Sequence, residues 1–494
     1  MIRLRRPVMN LAETDAQAET EPVLSFGAAS PLSEKNATLL FRSGLLATLA
    51  LCVYFGFVTP IDDPLHRFQG LAILILSVLP GLRWARRQES SFPVFQTFMI
   101  TGFNSFALPL LGGHELLRHY PVESVTAAAW GVILFQLCAI ATYELVPGAP
   151  RIGPWWSLPL FTGPVDRYLR VGMGISTLYT LLSEFTDLIP PELNSIFRAI
   201  GYGVGTLCTF LLSRKWGAGE LHRRDRIYFG SLLALQSLLL VSTLFLVSGL
   251  SLLVLALIGY VSGGKRIPLA ACLLLFACMA ILHNGKSAMR MKYWENEAPQ
   301  PTFWELPSFF AEWVQHGLTP RSQASGDIFV SRKLIERTSL LHMLTLVVDA
   351  TPARQPYLDG ETYGHILPQL IPRIFWLDKP MGHVSTQRLA TYYGLQDEES
   401  TLRTTIGFGV VAEAFANFGF LGLASLGAII GACTKLAGVW TRRSPLISYP
   451  GMLMVLLLAW SFQIELPMSA WIASLSQAAV AVLGVPFVLK HFLE

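Results

Sequence analysis

The chain has 494 residues, of which 52% are hydrophobic and only 14% charged, and its formal net charge is +4. A soluble globular domain carries about 25% charged residues, so a soluble multidomain protein, the ordinary expectation at this length, is excluded. Long apolar stretches take its place, each able to span a bilayer as a helix of about 20 residues.

Residues 1–38 open with Arg3, Arg5 and Arg6 and continue as a polar, acidic, Ala-rich stretch. No signal-type apolar core precedes Leu39, so the segment reads as a poorly ordered cytoplasmic tail. Apolar windows follow at about 40–60, 68–82, 92–112, 125–146, 171–189, 196–213, 227–246, 248–264 and 267–283. Three more lie at 406–437, 447–466 and 468–488. The fold class expected is therefore all-α: a polytopic membrane protein of about twelve transmembrane helices. The window at 406–437 is long for one span, so it tilts, breaks at a glycine or begins as a re-entrant segment.

Positive charge sets the orientation. Basic clusters mark alternate loops: Arg83, Arg86 and Arg87; Arg151, Arg167 and Arg170; Arg214, Lys215, Arg223, Arg224 and Arg226; Lys265 and Arg266; Lys435, Arg442 and Arg443. The loops between them are poor in Lys and Arg. Both termini are then expected in the cytoplasm, with spans one to nine in 39–283 and ten to twelve in 406–494. The 284–405 segment lies outside the cytoplasm. All six cysteines fall in apolar windows, so that segment carries no disulfide. No metal-ligand spacing appears among the cysteines and histidines.

The 284–405 segment is too long and too rich in aromatics to be a connecting loop. Its first part, 301–316, holds Phe303, Trp304, Phe309, Phe310 and Trp313; a helix in the bilayer interface and ordinary loop core are equally good readings. The next part, 327–349, reads as a helix with Leu334, Leu341 and Val348 on one face and Leu340, Leu344 and Val347 widening it. The stretch 357–380 is punctuated by Gly360, Gly364, Pro368, Pro372 and Pro380, and ordered irregular backbone of this kind often carries binding residues.

Four motifs follow one another here: Arg337; then Tyr357, Gly360 and Tyr363; then Pro372, Arg373, Trp376, Lys379 and Pro380; then Ala412, Glu413, Asn417, Phe418 and Gly419. This series resembles the bacterial O-antigen and oligosaccharide repeat-unit polymerases, sharply over about 285–425 and only in hydropathy elsewhere. The resemblance implies a fold similar to the lipid-dependent glycosyltransferases of the third structural class (GT-C), with a large periplasmic loop over a cavity open to the inner membrane. It implies transfer of a growing glycan from one polyprenyl-diphosphate carrier to the sugar of another, without nucleotide sugar, metal or cofactor. Carrier-linked glycans and the bilayer are the expected partners, with a chain-length regulator as a further one; nucleic acid is not.

The chemistry asks for the same residue types. A diphosphate leaving group needs positive charge where its own charge develops, and Arg grips phosphate with two parallel hydrogen bonds. The candidates for binding are Lys286, Arg290, Arg337 and Lys379, with Tyr363, Trp376 and Asn417. Those for catalysis are Arg373, Glu413, His383 and Glu361. Each has a plainer reading. Lys286 and Arg290 directly follow a span, where basic residues often anchor a helix end, although basic residues on that side run against the charge rule. A loop histidine is usually a structural hydrogen-bonder. Glu413 lies inside an apolar window, where a carboxylate is costly and marks either function or a partnered support. Two other functions compete: an O-antigen ligase using the same carrier, and a non-enzymatic transporter or flippase. The absence of repeated halves and the single large loop argue against transport.

Overall fold

The computed structural model describes residues 32–59, 63–87, 92–147, 156–158, 163–186, 188–295, 298–319, 339–371, 375–376, 378–380, 382–403, 405–441 and 444–493. The described residues are predominantly helical. The first nine helices are α1 (Glu34–Val58), α2 (Pro64–Arg87), α3 (Val94–Leu111), α4 (Val122–Leu145), α5 (Gly163–Phe185), α6 (Pro191–Ala218), α7 (Arg223–Ser242), α8 (Leu246–Ser262) and α9 (Leu269–Arg290). Six shorter ones follow: α10 (Leu306–Leu318), α11 (Leu341–Ala350), α12 (Glu361–Gly364), α13 (Ile366–Leu370), α14 (Val384–Tyr392) and α15 (Glu398–Arg403). The last are α16 (Gly409–Thr441), α17 (Tyr449–Trp460) and α18 (Met468–Leu493). One two-residue antiparallel pair joins Ser157–Leu158 to Ile447–Ser448.

Every apolar window of the sequence holds a helix. Among the described residues six of these are long and apolar enough to cross a membrane: α1 to α4, α9 and α16. Helices α8, α11 and α17 are apolar but shorter. Charge accounts for part of the remainder: α5 carries Asp166, Arg167 and Arg170 near its start, α6 carries Arg214 and Lys215 in its last two turns, and α7 begins Arg223-Arg224. Only 6% of the apolar window is buried in α1 and in α9. Leu269, Leu273, Leu274 and Phe276 of α9 are 61–74% exposed. Apolar faces of that extent need lipid to cover them, so the molecule is membrane-embedded.

Local sequence explains the ends. Ser33 caps α1 by accepting from the Asn36 amide at 3.3 Å, and Ser448 caps α17 through Gly451 at 3.2 Å. Thr302 and Glu305 form a capping box before α10. Gly219, at φ +85°, closes α6.

Two large cores organise the bundle. One joins α2, α3, α4, α11 and α16, and the other joins α5 to α8 with α17 and α18. At the first, α4 and α16 touch backbone to backbone. A Cβ on Gly427 would lie 2.3 Å from the Phe135 carbonyl oxygen, and one on Gly431 would lie 2.3 Å from that of Ala139. This is the small-residue spacing that lets membrane helices approach closely. A third, smaller core packs α9 and α10 on the α7–α8 corner through Val241, Leu244, Met289, Phe309 and Trp313.

The structure sharpens four expectations. The boundary expected at 283 moves outward: α9 runs on to Arg290 and winds as a π-turn to Glu295, putting Lys286 and Arg290 on a helix. The reason is packing, because Gly285 lies against Trp313 and the Trp313 indole donates to the Leu282 carbonyl at 2.7 Å. The aromatic helix divides its rings accordingly: Phe309 and Trp313 are buried, whereas Trp304, just ahead of the helix, is 85% exposed. Of the helix expected over 327–349, Leu341–Ala350 is helical and buries Leu341, Leu344 and Val347; residues 320–338 lie outside the described residues. The long window breaks at a glycine: Phe418 (φ −140°, ψ 17°) and Gly419 (φ 58°, ψ −143°) are non-helical inside α16. The Gly419 backbone is open essentially to glycine alone, and a Cβ there would sit 2.8 Å from the Tyr357 hydroxyl.

Candidate functional site

The break in α16 separates two environments. Every residue from Phe408 to Asn417 is buried, whereas Phe418, Phe420 and Leu421 are exposed. The turn at 357–364 lies on the buried half. Its Leu358 amide donates to the Ala416 carbonyl at 3.0 Å, and its Gly360 amide donates to Asn417 Oδ1 at 3.0 Å. Both Asp359 (φ 45°) and Gly360 (φ 92°) are left-handed, so the turn is strained at a non-glycine position.

Asn417 uses its whole amide. Besides accepting from Gly360, its Nδ2 donates to Thr362 Oγ1 and to the Glu413 carbonyl, each at 2.8 Å. Glu413 Oε2 accepts from the Met468 amide at 2.6 Å, at the first residue of α18, where a helix favours negative charge. The network continues: Ser385 Oγ donates to the Thr362 carbonyl at 3.0 Å, and Ser469 Oγ donates to Ser385 Oγ at 2.7 Å. His365 Nδ1 lies 3.3 Å from the same Ser385 hydroxyl. Thr362, Ser385, Glu413, Asn417 and Ser469 are all 0% exposed. They are supports that hold loop, α16 and α18 in register; none of them touches solvent or lipid.

The outer surface of the turn is different. Tyr363 stacks on Phe418 with centroids 6.1 Å apart and planes 21° apart. Burial, and then the charge of Glu413, push the Tyr363 hydroxyl pKa up. Arg388 on α14 grips Glu361 at both oxygens, Nε to Oε1 at 2.7 Å and Nη2 to Oε2 at 3.0 Å. The Arg388 hydrogen bond holds the Glu361 carboxyl below its usual range. Arg388 also lies over the Tyr392 ring at 4.9 Å.

The expected cations fall in separate places. Arg337 and Arg373 lie outside the described residues. Lys379, expected to bind substrate, is instead buried, and its Nζ donates to the carbonyls of Gln369 (3.0 Å) and Ile371 (2.8 Å). An ammonium in a protein-lined turn is satisfied by carbonyls rather than left desolvated. Glu361, expected as a base, has its carboxylate committed to Arg388 in the same way. Trp376 is exposed, and its carbonyl accepts from the Lys379 amide. Arg290 stands apart at the α7–α8 corner, donating to the Leu244 carbonyl at 3.1 Å between Trp294 (4.2 Å) and Phe245 (5.3 Å). Lys286 acts electrostatically on Glu465 of the α17–α18 turn. His383 is exposed just before α14; desolvation of its ring, and then the charge of Arg198, lower its pKa and favour the neutral imidazole.

Glu413, Asn417, Tyr363 and Glu361 thus come together, and Arg290 does not join them. Thr362, Ser385, Ser469, Arg388 and Phe418 complete the cluster without having been singled out as candidates. Only Phe418, as part of a motif, left any signal in the sequence. A shallow recess of about 20 Å³ between α2, α3 and α4 is lined by Arg83, Trp84, Tyr143 and Glu144 and shares no residue with the cluster. Among the described residues no three His, Cys, Asp or Glu side chains group as metal ligands would.

Over residues 243–436 the chain matches a domain of unknown function, DUF8712. That stretch runs from the α7–α8 corner to near the end of α16 and includes the whole cluster apart from Met468 and Ser469. No curated protein and no solved structure matches the chain.

Proposed function

We propose that the chain is an inner-membrane glycosyltransferase of GT-C type that joins polyprenyl-diphosphate-linked oligosaccharide repeat units at the periplasmic face, without a metal. The observation that carries this reading is the interlocking of two separate motifs. Tyr357, Gly360 and Tyr363 belong to one, and Glu413, Asn417, Phe418 and Gly419 to the other. Gly360 bonds Asn417, Tyr363 stacks on Phe418, and Tyr357 fills the space that a side chain at 419 would need. Two stretches picked out by one resemblance form one unit at the edge of a broken span, where a lipid-borne substrate can be met.

In this reading α1 to α9 and α16 to α18 each cross the membrane, both termini face the cytoplasm and 284–405 is periplasmic. The acceptor sugar's hydroxyl oxygen attacks the donor's anomeric carbon. The bond from that carbon to the diphosphate oxygen breaks, and its electron pair leaves with the diphosphate. Arg373 and Arg337 take the charge that develops there. His383 accepts the hydroxyl proton. Glu413 and Asn417 are positioning residues that keep the 357–364 turn on α16. Arg290, at the α7–α8 corner, is a further phosphate contact.

The test is the glycan profile of cells lacking the protein. Loss of the polymer ladder with single repeats retained is the expected result. Long polymer left on the carrier, with none on the final acceptor, would identify a ligase instead. An unchanged ladder would overturn the reading.

A further inference from the structure

We infer that the outer face of the cluster is a sugar-ring subsite: Phe418 and Tyr363 offer the ring faces, and the Glu361–Arg388 pair with Asp359 offers the hydroxyl contacts. The inference rests on the glycan reading above and adds where the saccharide sits.

The argument starts with Phe418. Its ring is 44% exposed, and it occupies the one place where α16 departs from helical geometry. An aromatic ring that merely faced lipid would need neither a broken helix nor charged neighbours. This one has both. Gly360 packs against its edge so closely that a Cβ there would come 3.1 Å from Phe418 Cζ, and Tyr363 stacks beside it. The residue after Gly360 is Glu361, whose side chain is 45% exposed in its pair with the 39% exposed Arg388. Asp359, on the other side, is exposed on a left-handed backbone pinned through its neighbour by Asn417. Strained backbone of this kind concentrates at binding sites.

A surface that alternates ring faces with planar charged forks suits a pyranose. The axial C–H bonds of a sugar carry partial positive charge and settle on the negative face of an aromatic ring. Its equatorial hydroxyls project from the rim and pair with carboxylate or guanidinium groups. Glu361 engages two of the five N–H donors of Arg388, and the two groups hold one another fixed for such contacts. A nonpolar ligand would leave these charges buried against it and unsatisfied, which is costly; a bare phosphate would be repelled by Asp359 and Glu361.

The experiment uses the full-length protein in detergent with lipid-linked repeat unit extracted from cells that lack it. Phe418→Leu, Glu361→Gln and Phe418→Tyr are compared with wild type for product formed against substrate concentration, with thermal unfolding recorded for each. The expected result is a half-saturating concentration raised at least about tenfold in Phe418→Leu and Glu361→Gln, and near wild type in Phe418→Tyr, which keeps the ring. Wild-type saturation in both of the first two variants overturns the subsite. Should Phe418→Leu unfold, the exposed Glu361→Gln decides alone. Polymer lost in the deletion strain but normal in every variant would sink the subsite and leave the polymerase reading standing. Polymer unchanged in the deletion strain would sink the reading itself.

Discussion

Asn417 is a side chain with no contact outside the protein, yet it holds the surface turn in place. Replacing it by Ala leaves the Gly360 amide and the Thr362 hydroxyl short of a partner in a dry interior. Each such loss costs about 1–3 kcal/mol. Asn417→Ala should therefore unfold at lower temperature in detergent and lose activity, while Asn417→Asp, which keeps an acceptor for Gly360, should recover part of both. The Glu361–Arg388 pair has a pH signature. Arg388 lowers the Glu361 pKa in the folded state, so the pair contributes stability above the usual carboxylate pKa and loses it as acid drives the pH through the lowered value. Melting curves of Arg388→Gln and wild type should differ at about pH 7 and converge towards about pH 3; a constant gap would show that the pair contributes nothing through charge. Arg373→Lys keeps the charge but not the bidentate grip on phosphate. It should slow polymerisation about ten- to a hundredfold at normal membrane levels, from a hydrogen-bond loss of about 1.5–3 kcal/mol, read by timed synthesis in a complemented deletion strain.

At the scale of elements, α16 depends on where side chains are missing. Gly431→Leu would drive its side chain into the Ala139 carbonyl and push α4 away, so little folded protein should be recovered from membranes. Gly419→Ala meets both a forbidden backbone and the Tyr357 hydroxyl, whereas Gly364→Ala meets nothing within 4 Å. The first should destabilise and the second should not, as measured by monodispersity on size exclusion. Hydropathy alone located the long helices, because lipid-facing and buried helices are both apolar. It could not separate them: α9 and the first half of α16 read alike, although one is bare and the other fully enclosed. Helices α14 and α15 were invisible, since sequences such as VSTQRLATY carry no apolar stripe. The candidate site was legible only where a motif stood in sequence. Ser385, Ser469 and Arg388 belong to it because the chain folds back, and no local pattern announces that.

For the whole molecule, the alternation of basic loops makes one claim that geometry alone does not test. Reporter domains fused after position 325 and after Gly217 should report opposite sides of the membrane, and the same side for both would end the twelve-crossing arrangement. Molecular architecture also constrains how the protein is made. The carboxylate of Glu413 and the hydroxyl of Ser385 find their partners in Met468 and Ser469, which the ribosome adds 55 and 84 residues later. Until α18 has been synthesised, the nascent chain carries an acidic group in a segment with nowhere to hide it. That half of α16 has to wait at the membrane edge and dock last, with the final helix. Chains stopped just short of Met468 would then hold most of their spans and none of the finished centre, and the membrane's quality-control proteases would find them by that unclosed seam.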